Sequence, residues 1–346
     1  MGVTGAALGL LGLTAAASWW LTGRLARVPD LGTPDLPNER SLHATPVART
    51  GGVAIIAAVA LALVADLPLV LVFDRSALAA DRELGIVLLG AAVLSTHAYW
   101  SDFRGVSVAM RLGVQLVVAT ATVLGAGLTL DGLIALRPLA VVVTVLALVW
   151  MTNLYNFMDG MDGFAGGMTI LGFAALAVLG WRGGQSHAGW LSLLVAASAV
   201  GFLIHNFPPA RIFLGDVGSI PLGFLAGSLS LLGVRDRVFD VWTPVLIFSP
   251  FVVDATVTLA RRLVRGERVW RPHREHYYQR LVLAGWGHRR TVLVEYGLML
   301  ACGATAAVYV TAGTSVRVFL LAVWATVYCS LAYGIHAADS TRPRCP

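Results

Sequence analysis

The sequence contains no lysine; all 25 of its basic residues are arginine. It is also poor in charge, with 13% Asp, Glu, Lys and Arg over 346 residues, and it has only three cysteines. A water-soluble domain of this length needs far more polar surface, so a globule solvated on all sides is excluded. Cys302 and Cys329 fall inside apolar runs and Cys345 lies in the tail, which suggests neither a disulfide framework nor a zinc site. No internal repeat at a period of about 20–50 residues is apparent, so a solenoid or propeller is not indicated. Alternating segments of about ten residues, the mark of a membrane barrel, are missing as well.

What the chain does have is long apolar sequence: 57% of residues are hydrophobic, and the mean hydropathy is +0.76. In hydrocarbon every backbone polar group must be satisfied internally, and runs of roughly 20 apolar residues do this as helices. Eleven spans are predicted, near residues 3–21, 52–72, 84–100, 108–128, 138–154, 166–181, 188–205, 220–234, 241–260, 291–311 and 317–335. The expected fold is therefore all-α, one polytopic membrane domain over 1–346. The first run has no basic residue before it, and Arg24 and Arg27 follow it. That order predicts an uncleaved first span with its N-terminus outside. An odd number of spans then places the C-terminus in the cytoplasm. On this topology 18 of the 25 arginines lie inside and seven outside, a positive-inside bias. The net charge of +6 is explained by topology, and nothing in it calls for nucleic acid.

The inside segments, about 22–51, 101–107, 153–165, 206–219 and 261–290, also hold the polar clusters with chemical character. NLYNFMDGMDGFAGG, Asn153 to Gly167, joins the fifth and sixth spans. Helical spacing would set Asp159 and Asp162 on one face, and polar groups at membrane depth are usually functional rather than simple caps. HNFPPARIFLGDVGS, His205 to Ser219, sets Asp216 between glycines just before a span. Such an Asp can be an N-cap, or it can hold Mg²⁺ together with substrate phosphates. Phe213 offers either packing or a stacking surface for a base. RPHREHYYQRL, Arg271 to Leu281, combines His273, His276 and Arg274 into a candidate phosphate pocket. Zinc would need further ligands there, and only Glu275 is near. The first inside loop, DLPNERSLHATPVARTGG, contributes His43 and Arg49, and SDFRG contributes Asp102. Asp254 and His97 lie within spans; snorkelling salt bridges would explain the first as well as catalysis, and a satisfied core histidine is one reading of the second, so neither is placed in the first rank.

Together these clusters resemble the polyprenyl-phosphate N-acetylhexosamine-1-phosphate transferases, glycosyltransferase family 4. The likeness covers about Asp35 to Arg290, five motifs in the family's order, with NLYNFMDGMDG matching Asn-x-x-Asn-x-x-Asp-Gly-x-Asp-Gly in full. The resemblance implies transfer of an N-acetylhexosamine 1-phosphate from a UDP-sugar to undecaprenyl phosphate, with release of UMP. It implies Asp216 as the main ligand of Mg²⁺, which Mn²⁺ can replace. Asn156, Asp159 and Asp162 would hold the nucleotide and diphosphate, with Phe213 near the uracil and Asn206 beside the diphosphate. His273, His276 and Arg274 would bind phosphate and sugar. The implied partners are these two substrates and membrane lipids; homodimers are common enough to be considered. The implied location is the bacterial plasma membrane. Two departures stand out. Ala48 replaces a usual Pro, and Ser101-Asp102 stands where the family has two adjacent Asp. The lysine that follows this pair in the peptidoglycan branch is absent, and the ending HREHYYQRL…GHRR looks closest to the O-antigen-initiating branch. The rival readings are a CDP-alcohol phosphotransferase, whose further Asp residues are missing after Asp162, and a transporter. A transporter would place its polar residues near mid-membrane.

Overall fold

The computed structural model describes residues 2–28, 47–72, 81–269 and 273–340. These residues are helical almost throughout; the one β feature is an isolated parallel bridge between Ala48 and Ile212. The helices are α1 (Gly2–Leu25), α2 (Gly51–Val72), α3 (Arg82–Arg104), α4 (Val108–Gly125) and α5 (Arg137–Phe157). They continue as α6 (Phe164–Arg182), α7 (Ser186–Asn206), α8 (Asp216–Arg235), α9 (Trp242–Ile247) and α10 (Ser249–Val264). The last three are α11 (Tyr277–Leu281), α12 (Gly287–Thr311) and α13 (Thr314–Ser340).

Against eleven expected spans, nine helices among the described residues are long and apolar enough to cross a membrane. The run expected over 52–72 is one helix, α2, of 22 residues. The run expected over 241–260 is broken at Phe248 into α9 and α10, with Pro250 in the first turn of α10. Proline has no N–H to give to the carbonyl of Leu246, four residues back. Ser249 Oγ donates to that carbonyl instead, at 2.8 Å, so the break stays satisfied in an apolar setting. The loop expected to reach residue 290 is also shorter, because helix resumes at Tyr277 and, after a kink at Gly285 with φ +89°, continues as α12.

Helix α8 is the hub. Its apolar window is 94% buried, against 0% for α13, whose apolar side chains face outward as lipid-facing residues do. Helix α8 lies against α5, α3, α2 and α6. Close approach is permitted by small residues, as in other membrane helix pairs. A Cβ on Gly223 would stand 2.7 Å from the Met151 carbonyl of α5. Between helices that share a lipid-like medium, contact of this kind replaces the hydrophobic effect as the source of specificity. It fixes how far α8 and α5 are offset, and so where their adjoining ends bring Asp216 and Asn156.

Candidate active site

The polar clusters meet at one end of the bundle, around the first turn of α8. Gly215 just before it has φ +71°, and a Cβ there would stand 2.1 Å from the Arg49 carbonyl, so only glycine fits. This tight approach lets the segment before α2 pair with the segment before α8. Phe213 N donates to Ala48 O at 2.8 Å, and Gly51 N donates to Phe213 O at 2.9 Å. Arg49 is thereby carried to Asp216, with Nη2 3.4 Å from Oδ1.

Asp216 is the focus. Arg111 of α4 donates from Nη1 to Oδ2 at 2.7 Å, and Asn156 of α5 donates from Nδ2 to Oδ1 at 3.0 Å. Asn156 Nδ2 also reaches Ser219 Oγ at 2.9 Å. The positive end of the α8 dipole adds to the two guanidiniums, so the carboxylate sits in a strongly anion-favouring field. Asp102 joins through the same arginine, with Oδ1 3.9 Å from Arg111 Nη2. Ser101 takes no part: its side chain is buried, and Oγ is turned back to the Ala98 carbonyl at 2.9 Å.

Asp159 and Asp162 do not share a helical face, as their spacing had suggested; both lie in the turn between α5 and α6. Each clasps the backbone of the segment leading into α8. Asp159 Oδ2 accepts from Gly215 N at 3.0 Å, and Asp162 Oδ2 accepts from Ala210 N at 3.0 Å. Asn206 completes the clasp, accepting from Gly163 N and donating to Ile212 O, both at 2.9 Å. His288 Nδ1 stands 3.0 Å from the other oxygen of Asp162. The first Asn of the motif, Asn153, points elsewhere and donates to Gln115 of α4 at 2.6 Å.

The histidines divide. His276 is only 4% exposed, and its Nδ1 lies 3.1 Å from Asp254 Oδ1. Asp254, set aside in the sequence reading, also accepts from Tyr277 N at 3.0 Å and Tyr278 N at 3.1 Å. It therefore holds the start of α11, with His276 buried against it. His273 is the more open of the two, its ring 4.8 Å from that of His276. Burial, then the neighbouring His276 and Arg262 charges, push the His273 imidazole down to about 4, so it is neutral at pH 7. Glu275 closes the loop onto α10 through Arg265 and through Arg262 at 2.5 Å. Burial, the largest single influence, works against the Glu275 carboxylate, but the hydrogen bond from Arg265 together with the Arg265, Arg262 and His273 charges outweighs it and lowers its pKa. Arg274 is exposed, and His43 lies outside the described residues.

Arg111, His288, Asp254 and Ser219 were missed as site residues. Arg111 was legible only as one more inside arginine, and His288 only through the GHRR run. As for metals, no three His, Cys, Asp or Glu converge among the described residues. Mg²⁺ among phosphates asks for less, one or two carboxylates with the remaining oxygens from phosphate and water. Asp216, at 16% side-chain exposure, and Asp102 fit that demand.

Residues 84–234 match the family model described as glycosyl transferase family 4. A probable undecaprenyl-phosphate N-acetylglucosaminyl 1-phosphate transferase of Bacillus subtilis (strain 168) is 32% identical, over 77% of this chain and 74% of the relative. The chain belongs to glycosyl transferase family 4. The likeness extends along nearly the whole sequence in other members. A decaprenyl-phosphate N-acetylglucosaminephosphotransferase of Mycobacterium tuberculosis (strain CDC 1551 / Oshkosh) is 30% identical, over 91% of this chain and 86% of the relative. A phospho-N-acetylmuramoyl-pentapeptide-transferase of Moorella thermoacetica is 34% identical over a shorter stretch, 45% of this chain and 48% of the relative. The family-model match ends at 234, so the α10–α12 histidine segment lies beyond it. That segment packs onto the matched core through Tyr278, which donates to the Phe157 carbonyl at 3.2 Å.

Proposed function

We propose that this family 4 member transfers N-acetylglucosamine 1-phosphate, or a closely related N-acetylhexosamine 1-phosphate, from its UDP-sugar to a polyprenyl phosphate. Undecaprenyl phosphate is the proposed acceptor. The product is a lipid diphosphate sugar, the starting unit of an O-antigen-type or related cell-surface polysaccharide. The observation that carries this reading is Asp216 held between Arg49, Arg111 and Asn156, beside Asp102, at the end of the bundle. A transporter would gather its polar groups at mid-membrane, not at one end.

The physical problem is to join two anions. Arg49 and Arg111 supply positive charge at the place where the diphosphate and the acceptor phosphate must meet, and fixed cations in a partly desolvated setting need no reorganisation during reaction. The acceptor phosphate oxygen attacks the β-phosphorus of the UDP-sugar. The bond from that phosphorus to the bridging oxygen breaks, and UMP leaves with the electron pair. Asp102 positions the attacking phosphate or takes its proton. Asp159, Asp162 and Asn206 hold the loop that carries Phe213, the proposed contact to the uracil. Asp216, assisted by Asp102, would hold Mg²⁺ (Mn²⁺ as a substitute), which supplies Lewis-acid charge neutralisation at the diphosphate when bound. The site is proposed to face the cytoplasm, where the arginines concentrate, with the N-terminus outside.

The test is a panel of UDP-N-acetylhexosamines offered to the purified chain with undecaprenyl phosphate and Mg²⁺. Label should pass from the sugar to an extractable lipid, with one UMP per transfer. UMP release without labelled lipid, or no transfer with any sugar, would overturn the reading.

A further inference from the structure

Helix α12 has two faces with different neighbours. One lies on the aspartate turn: His288 meets Asp162 at 3.0 Å, and Tyr296 donates to the Gly163 carbonyl at 2.7 Å. The other carries Trp286, Arg289, Arg290, Leu293 and Val294, which line a groove of about 510 Å³. Their spacing puts the four α12 residues on one side of the helix, and Trp286 stands just before its first residue. Leu293 and Val294 are each 51% exposed, and the Arg290 guanidinium lies 4.3 Å over the Trp286 ring. Among the described residues neither Arg289 nor Arg290 has a carboxylate partner. A tryptophan and two arginines at the end of a membrane helix sit where headgroups are, and the apolar wall beyond them sits where acyl chains begin.

We propose that this groove seats an anionic phospholipid, its phosphate on Arg289 and Arg290 and its first acyl segment along Leu293 and Val294. By holding α12 from outside, the lipid supports the contact of His288 with Asp162 on the opposite face. Two cations near an anionic headgroup correspond to a preference of roughly thirtyfold over a zwitterionic one. A second copy of this chain is a poor occupant, because a two-fold contact would set the same two guanidiniums against themselves. The acceptor lipid is excluded by place, since its phosphate must reach Asp216 on the other side of α12. The consequence for rate rests on the proposed function; the seat itself does not.

The experiment uses the full chain in nanodiscs of phosphatidylcholine, alone or mixed with phosphatidylglycerol. Bound lipid is read by native mass spectrometry and transfer by labelled lipid product. The wild type should retain phosphatidylglycerol and speed up several-fold in its presence. The double variant Arg289→Gln, Arg290→Gln should keep the phosphatidylcholine rate, lose the retention and show a flat response. Equal retention by the double variant overturns the seat. A raised KM for undecaprenyl phosphate in pure phosphatidylcholine would instead make the groove the acceptor's, and a changed oligomeric state would make it a subunit contact; either overturns the assignment. Retention with no effect on rate overturns the support of Asp162. Retention is measured without substrate, so a chain that transfers nothing in any lipid sinks the proposed reaction and still leaves the seat decided.

Discussion

The two ends of the helical bundle carry similar charged groups and use them differently. At the end opposite the site, Arg235 pairs with Glu83 at 2.5 Å and Asp236 at 2.6 Å, and it also donates to the Ala126 carbonyl. Nearby, Asp81 caps α3 and meets His187 at 3.4 Å, while Asp240 accepts from Tyr309 at 3.0 Å. There each acid is tied to a helix terminus or to its own cation, and the groups lie in the wetter layer at the bundle's edge. At the site end, one carboxylate, Asp216, takes one arginine from α4 and one from the segment before α2, while Asp159 and Asp162 bind backbone N–H groups of a single loop. Charge at the first end closes the bundle; at the second it is concentrated on one spot and steadied by glycine-lined backbone. Ion pairs alone do not mark a site. Convergence on one partly open carboxylate does.

The strongest way to break this contrast is Asp216→Asn. It should lower transfer by about 10³-fold, the upper range for loss of one preorganised electrostatic group. The variant should still be recovered folded from membranes; unimpaired transfer would remove Asp216 from the site. Asp254→Ala comes next, because it strands the N–H groups of Tyr277 and Tyr278 and the His276 ring. With about 1–3 kcal/mol for each stranded buried donor, thermal unfolding in detergent should move down by several degrees and more. Asp254→Asn, which keeps an acceptor, should recover part of that loss.

A third test concerns His273, which in the fold titrates near 4, below its ordinary 6.5. A histidine with a lowered folded-state pKa favours the fold fully above about 6.5, and that contribution is lost as pH falls through 6.5 toward 4, because the unfolded chain takes up the proton first. Thermal stability of the wild type should decline across this window, and His273→Gln should show a shallower decline. Equal slopes would show that His273 is not held neutral. The smallest effect is expected at the opposite end. Arg235→Gln should cost about 1 kcal/mol or less of stability and leave transfer unchanged. A loss of transfer there would mean that the two ends are coupled.

Much of the site was legible in the sequence because its acids and amides are carried by local motifs. Asn156, Asp159, Asp162, Asn206 and Asp216 lie in two short polar stretches between apolar runs, a contrast that needs no tertiary information. Arg111 was not legible, for it sits alone at the start of α4 with no polar neighbour pattern. Asp254 was read as a snorkelling partner because the alternative, three bonds to the start of α11, depends on where a segment some 22 residues further on returns. His273 and His276 are paired by their spacing in the sequence, and their rings lie 4.8 Å apart; only the fold shows that His276 is the buried one, against Asp254.

The amino-acid order by itself determined that the chain is a bundle of membrane helices, since unsatisfied backbone in hydrocarbon leaves no other choice for runs of this length. It also determined which loops carry the acids. The tertiary structure decided which of these groups act on one another. Arg111 and Arg49 reach Asp216 across 105 and 167 residues of chain, distances that no local pattern encodes. They meet because glycines let α8 and the segment before α2 approach within van der Waals contact, and that packing alone sets the register of the helix ends.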